Sequence, residues 1–180
     1  DFYLAKGVIE CVAQKLNLNF EYRATEINGL HPGRTALVSL NGKDIGFIGE
    51  LHPTVAADND LKRTYVFELN YEEMMNVSVG YINYQPIPKY PGVSRDIALE
   101  VEHDVPASEL LNTIHQNGAD ILQDTLVFDV YEGEHLEEGK KSVAIRLYYL
   151  NTENTLTDER VTKVHDQIIE ALKAKGATIR

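Results

Sequence analysis

Along the first 18 residues, apolar positions recur at steps of three or four. Phe2, Ala5, Ile9, Val12 and Leu16 predict an amphipathic helix, with Asp1 placed to cap it. The period then shortens to two. Phe20 to Thr25 reads as a short strand, and Leu30-His31-Pro32-Gly33-Arg34 as a turn-rich link. Thr35 to Leu40 and Ile45 to Glu50 flank Asn41-Gly42, a strong hairpin signal because both residues tolerate the positive φ of a tight turn. His52-Pro53 opens a short helix through Asp58, and Thr64 to Leu69 is a further strand. Residues 1–75 thus read as a helix with an antiparallel sheet.

Residues 71–89 break the pattern and read as a connector. Tyr84-Gln85-Pro86-Ile87-Pro88-Lys89-Tyr90-Pro91 favours extended backbone, which places a linker at 76–88. From residue 89 the pattern is clearer. In Asp96 to Glu102, Ile97, Leu99 and Val101 share one face, with Ala98 and Glu100 on the other. Pro106 lies in the first turn of a helix carrying Leu110, Leu111 and Ile114. In Leu122 to Tyr131, alternation puts Leu126, Phe128 and Val130 on the apolar face and Thr125, Val127, Asp129 and Tyr131 on the other. In Lys141 to Leu150, Val143, Ile145 and Leu147 point inward while Ser142, Ala144, Arg146 and Tyr148 point outward. Thr157 caps a helix on Val161, Val164, Ile168 and Leu172 that stops at Gly176, and Ala177 to Arg180 is a last strand. The order is β-α-β-β-α-β, the ferredoxin-like arrangement, with both helices on one sheet face and the other face open.

Composition narrows the reading. The formal charge is −11, with 7 Lys/Arg against 11 Asp/Glu in residues 1–80 and 10 against 17 in residues 81–180. Phosphate backbones attract Lys and Arg, so nucleic-acid contact here must be local and base-directed. The main grip on phosphate then lies elsewhere in a larger assembly. A single cysteine, Cys11, excludes an internal disulfide and a multi-cysteine metal site, and reads as a core or helix-flank residue. No apolar run reaches transmembrane length, and the first residues lack the basic segment and cleavage site of a signal peptide. These features point to the cytoplasm. The chain does not open on Met, which hints at a piece of a longer protein.

Most of the chemistry-bearing residues read as structural. His31-Pro32 and His52-Pro53 lack metal-ligand spacing and read as turn-associated histidines. Gly46-Phe47-Ile48-Gly49 lies within a strand and reads as close backbone packing rather than a phosphate loop. Glu132, Glu134, Glu137 and Glu138 lack a calcium-loop pattern and read as a solvated loop. The open sheet face is different. Asp129, Tyr131, Ser142, Arg146 and Tyr148 all alternate onto it. A tyrosine ring stacks on any base, a carboxylate accepts from base amino and imino groups, and Ala98 leaves room for a base to lie flat. The alternative from a different class is a ferredoxin-like regulatory or dimerisation module, its open face buried by a protein partner.

The same residues carry a family resemblance. Tyr90-Pro91-x-x-x-Arg95-Asp96-Ile97-Ala98-Leu99 resembles the entry to the ferredoxin-fold anticodon-binding domain. Phe128-Asp129-Val130-Tyr131-x-Gly133, Gly139-Lys140-Lys141-Ser142-Val143-Ala144, Thr155-Leu156-Thr157-Asp158 and Gly176-Ala177-x-x-Arg180 continue the match across residues 90–180. That domain ends the β subunits of bacterial phenylalanyl-tRNA synthetases. Residues 1–75 resemble the end of their synthetase-like module, through Asp1-Phe2-Tyr3-x-x-Lys6-Gly7, Leu30-His31-Pro32-Gly33-Arg34 and Ile45-Gly46-Phe47-Ile48-Gly49-Glu50-Leu51-His52-Pro53. The resemblance implies a partial class II synthetase-like antiparallel module, without catalytic activity, followed by the βαββαβ domain at 89–180. Where a working class II site would place an ATP-binding arginine after the Gly-rich strand, this chain continues Glu50-Leu51-His52-Pro53. The family implies an α₂β₂ ligase using ATP and Mg²⁺ in the holoenzyme, with the chemistry in the α subunit. This chain would hold no cofactor, metal or catalytic residue. It also implies that the terminal domain reads the tRNA(Phe) anticodon, whose first base is guanine. Tyr131 would stack on that base, Asp129 would hydrogen-bond it, and Ala98 and Ser142 would line the pocket. Arg146 joins the site on face and charge alone.

Overall fold

The computed structural model describes residues 1–77, 87–134 and 136–180. The chain forms two compact units, Asp1–Gln85 and Pro86–Arg180, both α+β with antiparallel sheets. The linker expected at 76–88 falls mostly outside the described residues.

In the first unit, α1 (Phe2–Lys15) begins where the Asp1 carboxylate accepts the Leu4 N–H at 2.8 Å. Strands β1 (Phe20–Ala24), β2 (Leu30–Leu40), β3 (Lys43–Leu51) and β4 (Tyr65–Leu69) form a sheet in sequence order, every pair antiparallel. Asn41 and Gly42 take φ of 52° and 76° and close the β2–β3 hairpin, as their sequence predicts. Ile9 and Ala13 from α1 pack with Phe20, Val38, Leu40, Ile45 and Ile48 from the sheet. Val12 turns away from this core and is exposed; Ala13 takes the place expected of it. Cys11 is exposed on the helix flank.

Two features differ from the sequence reading. Residues 30–34 belong to β2, where Leu30 pairs with Leu51 and Thr35 with Gly49, so the intervening residues bulge from the ladder. Residues 71–76 are helical rather than connector. After α2 (Pro53–Asp58) and β4, the short α3 (Tyr71–Asn76) starts at Asn70, whose side chain accepts the Glu73 N–H. It buries Met74 in the core. Both histidines serve turns: the Gly33 N–H donates to His31 Nδ1 at 3.1 Å, and His52 caps α2. A Cβ on Gly46 would collide with the Glu68 carbonyl, so the glycine lets β3 and β4 approach.

The second unit is β5 (Val93–Glu102), α4 (Ala107–Asn117), β6 (Leu122–Tyr131), β7 (Lys140–Tyr149), α5 (Asp158–Ala174) and β8 (Thr178–Ile179). The sheet order β6-β7-β5-β8 is that of the ferredoxin-like fold. Thr157 accepts the Arg160 N–H to start α5, and Gly176, at φ of 89°, ends its turn. Leu110 and Ile114 of α4 and Val161, Val164, Ile168 and Leu172 of α5 pack on Ile97, Leu99, Val101, Val143, Ile145 and Leu147. Tyr149 is fully buried here, its hydroxyl 3.0 Å from His165 Nδ1. Burial pushes the Tyr149 hydroxyl up to about 12 and holds the His165 imidazole below its usual value. This core covers one face of the sheet.

Candidate functional site: the open sheet face

Strand register assembles the other face into rows. Residues directly opposite one another in an antiparallel pair project to the same side. Reading from β6 through β7 to β5, the rows are Asp124–Tyr148–Ser94, Leu126–Arg146–Asp96, Asp129–Ala144–Ala98 and Tyr131–Ser142–Glu100. Successive rows on one strand lie about 7 Å apart. Ala98, Asp129, Tyr131, Ser142 and Arg146 therefore share this face in three adjacent rows, with Tyr148 in a fourth. Ala98 and Asp129 sit in one row, Tyr131 and Ser142 in the next, and Arg146 on the far side of the alanines.

The alanine row forms a low floor, with Tyr131 on one side of it and Arg146 on the other. Tyr131 is 41% exposed. The place a Cβ would occupy on Gly133 is taken by the end of the Tyr131 ring. Tyr148 rests in the same way on Gly92. Each tyrosine of the open face thus has a glycine as its seat, a physical reason for glycine in Tyr90-Pro91-Gly92 and in Tyr131-x-Gly133. Asp129 is exposed at the head of the alanine row, whereas Ser142 is buried between Tyr131 and Glu100.

Arg146 is not a free cation. Its Nε and Nη2 donate to the two Asp96 oxygens, both at 2.8 Å, and its guanidinium carbon lies 5.2 Å from the centre of the Phe128 ring. The hydrogen bonds from Arg146, and then its charge, hold the Asp96 carboxyl below its usual value. The neighbouring residues of the Arg95-Asp96 motif divide between the faces. Arg95 donates to Thr162 Oγ1 on α5 at 2.9 Å, while Asp96 engages Arg146 on the open side.

The face of β6 differs from its alternation. Val127 pairs with Ile145 and Asp129 with Ala144, so Phe128 is an extra residue, a β-bulge. Upstream of it the phase is reversed. Thr125 and Val127 turn toward the helices, while Leu126 and Phe128 join the open face, 56% and 48% exposed. Asp129 and Tyr131 lie past the bulge and keep the expected face. Phe128 and Asp96 were therefore missed as members of this surface. The surplus apolar residue on an edge strand was the available signal for the first, and alternation with Ala98 and Glu100 was the signal for the second.

The acidic loop is solvent-facing and tied by Lys140, which bridges Glu137 at 2.5 Å and Glu100 at 3.4 Å. Among the described residues no three His, Cys, Asp or Glu side chains gather as a metal-holding group, and no helix is long and apolar enough to cross a membrane. A groove between α4 and α5, lined by Gln116, Asn117, Asp166, Gln167 and Glu170, lies on the helix side and contributes nothing to the open face.

Residues 88–180 match the family model of the ferredoxin-fold anticodon binding domain. The chain belongs to this family. Residues 1–71 match that of the phenylalanyl tRNA synthetase beta chain CLM domain. Over all 180 residues the chain is 77% identical to the phenylalanine–tRNA ligase beta subunits of Staphylococcus epidermidis and Staphylococcus haemolyticus, and 69% identical to that of Staphylococcus aureus strain MSSA476. It spans 22% of the length of each of these relatives. In this anticodon-binding domain the helices cover one side of the sheet, and the rows from Asp124 to Glu100 form the uncovered side.

Proposed function

We propose that the second unit reads the anticodon of tRNA(Phe) as part of a phenylalanine–tRNA ligase β subunit. Its work supports ATP-dependent aminoacylation carried out by an α subunit in a cytoplasmic α₂β₂ assembly. The observation that carries this reading is the alanine floor. Asp129, Ala144 and Ala98 make a flat strip, with the Tyr131 ring seated beside it, in a domain of the anticodon-binding family. In this reading Tyr131 stacks on the first anticodon base and Asp129 accepts from its amino and imino groups, a pattern suited to guanine. Ala98 and Ser142 line the strip. Arg146 shapes its border instead of gripping phosphate.

ATP and Mg²⁺ would serve the holoenzyme at sites outside this chain. In this reading the first unit holds no nucleotide. The strand that would carry an ATP-binding arginine carries Glu50, only 6% exposed. Arg34 and Arg63 are both drawn onto its carboxylate, at 3.1 and 3.5 Å. One carboxylate offsets one of these two positive charges, and both guanidinium groups are directed at Glu50.

The test is made in the full-length β subunit assembled with its α partner. Asp129→Ala and Tyr131→Ala should each raise KM for tRNA in aminoacylation and leave amino-acid activation, followed by pyrophosphate exchange, unchanged. Wild-type tRNA kinetics in both variants would refute the assignment. A second reading, a regulatory or dimerisation module whose open face is buried by protein, draws on the exposed Leu126 and Phe128. It predicts that substitutions on this face alter protein association and not tRNA kinetics.

A further inference from the structure

The β-bulge puts an aromatic ring where alternation would not. Phe128 stands half exposed on the open face beside Leu126, with the Arg146 guanidinium over its ring. Asp96 holds that guanidinium by two parallel hydrogen bonds, which fix its plane and offset its charge. The result is a ledge of two planar groups with little net charge. Across the alanine row from it sits Tyr131. Ala144 and Ala98 place nothing larger than a methyl group between the two, so a strand lying on Tyr131 has an open path to the ledge.

We infer that Phe128 and Arg146 form a second base-stacking subsite, which takes the unpaired nucleotide flanking the one held by Tyr131. This rests on the reading of the open face as an RNA site. Aromatic rings and guanidinium planes both stack on bases irrespective of sequence. Phosphate is the poorer fit, because the charge that would attract it is already met by Asp96. The bulge is then a device that re-aims one side chain onto the ligand face, and Asp96 is a positioning residue that keeps Arg146 flat.

The experiment uses the full-length β subunit in its native assembly and tRNA(Phe) carrying 2-aminopurine at the first anticodon position or at either flanking nucleotide. Phe128→Leu keeps apolar bulk and removes the ring. It should weaken tRNA binding about tenfold and abolish the stacking-dependent fluorescence change at one flanking nucleotide. The signal at the first anticodon position should stay, and Phe128→Tyr should restore the flanking signal. The slope of log affinity against log salt should be unchanged in Phe128→Leu. It should steepen by about 0.7 in Asp96→Asn, where a released guanidinium reaches one phosphate. Wild-type binding by Phe128→Leu, with binding lost in Tyr131→Ala, overturns the subsite and leaves the anticodon reading intact. Wild-type binding by both variants removes the RNA reading altogether. A Phe128→Leu effect confined to the first anticodon position reduces Phe128 to a prop for Tyr131. An unchanged salt slope in Asp96→Asn overturns the positioning role, and loss of a protein association with tRNA binding intact assigns the ledge to a protein partner.

Discussion

Each unit of this chain sets an arginine against a carboxylate on an antiparallel sheet, and the two clusters do opposite things. Glu50 is almost wholly buried. It gathers Arg34, Arg63 and the Tyr65 hydroxyl, which donates at 2.9 Å. Burial alone would raise the Glu50 carboxyl. The hydrogen bonds from Tyr65 and Arg34 and the two arginine charges outweigh it and hold the group below its usual value. Asp96, by contrast, is 44% exposed and Arg146 50%. Their pair sits on a face that the helices leave open, and it adds little to stability because solvent screens it. The first cluster gathers two guanidinium groups and a hydroxyl onto one buried carboxylate. The second keeps a surface flat and available. An arginine on a sheet is thus no sign of a ligand until its partner and its exposure are known.

The largest expected effect separates the two units. Gly46→Ala would drive a methyl group into the Glu68 backbone. It should destabilise the first unit by more than about 4 kcal/mol. Hydrogen exchange should show protection lost in β3 and β4 and kept in β5 to β8. Ile145→Ala reverses the contrast. Removing this fully buried side chain should cost about 2–5 kcal/mol, read by denaturant titration of the second unit's core amides, with the first unit unaffected. Third, acid should distinguish the clusters. Because the folded-state pKa of Glu50 lies below its ordinary 4.5, its contribution is complete above pH 4.5 and is lost as pH falls through the folded value. Glu50→Gln should flatten this acid dependence in the first unit, measured as denaturation midpoint against pH. The smallest effect is Asp96→Asn. It should leave the denaturation midpoint unchanged, since the pair it breaks is half exposed. A large drop there would erase the distinction between the clusters.

Much of the fold was legible because period is a direct projection of burial. The four strands and two helices of the second unit follow from alternation and caps, and Asn41-Gly42 marked its hairpin through backbone sterics alone. The failures have local causes. Alternation assumes one residue per rung, so the extra residue at Phe128 reversed the face of Thr125 to Phe128, marked in the sequence only by the apolar run Leu126-Val127-Phe128. Asp129 and Tyr131 stayed correct because both lie past it. The six-residue α3 is too short to display a period. Its signal was the spacing of Asn70 to Glu73, a cap followed by an acid three residues later. The bond between Asp96 and Arg146 joins residues 50 positions apart and depends on β5 and β7 pairing in one register, which single-strand patterns do not encode.

Gly133 has a consequence beyond making room. A tyrosine on an exposed strand samples several rotamers, and a ligand that needs one of them must freeze the rest, at about 0.5–1.5 kcal/mol per side chain. The end of the Tyr131 ring lies over Gly133, a seat that favours one of those rotamers before any ligand arrives. A larger residue at 133 would push the ring off its perch and return the ordering cost to the moment of binding. In the proposed anticodon reading, the smallest residue in the loop thereby sets how much of the stacking energy survives as affinity.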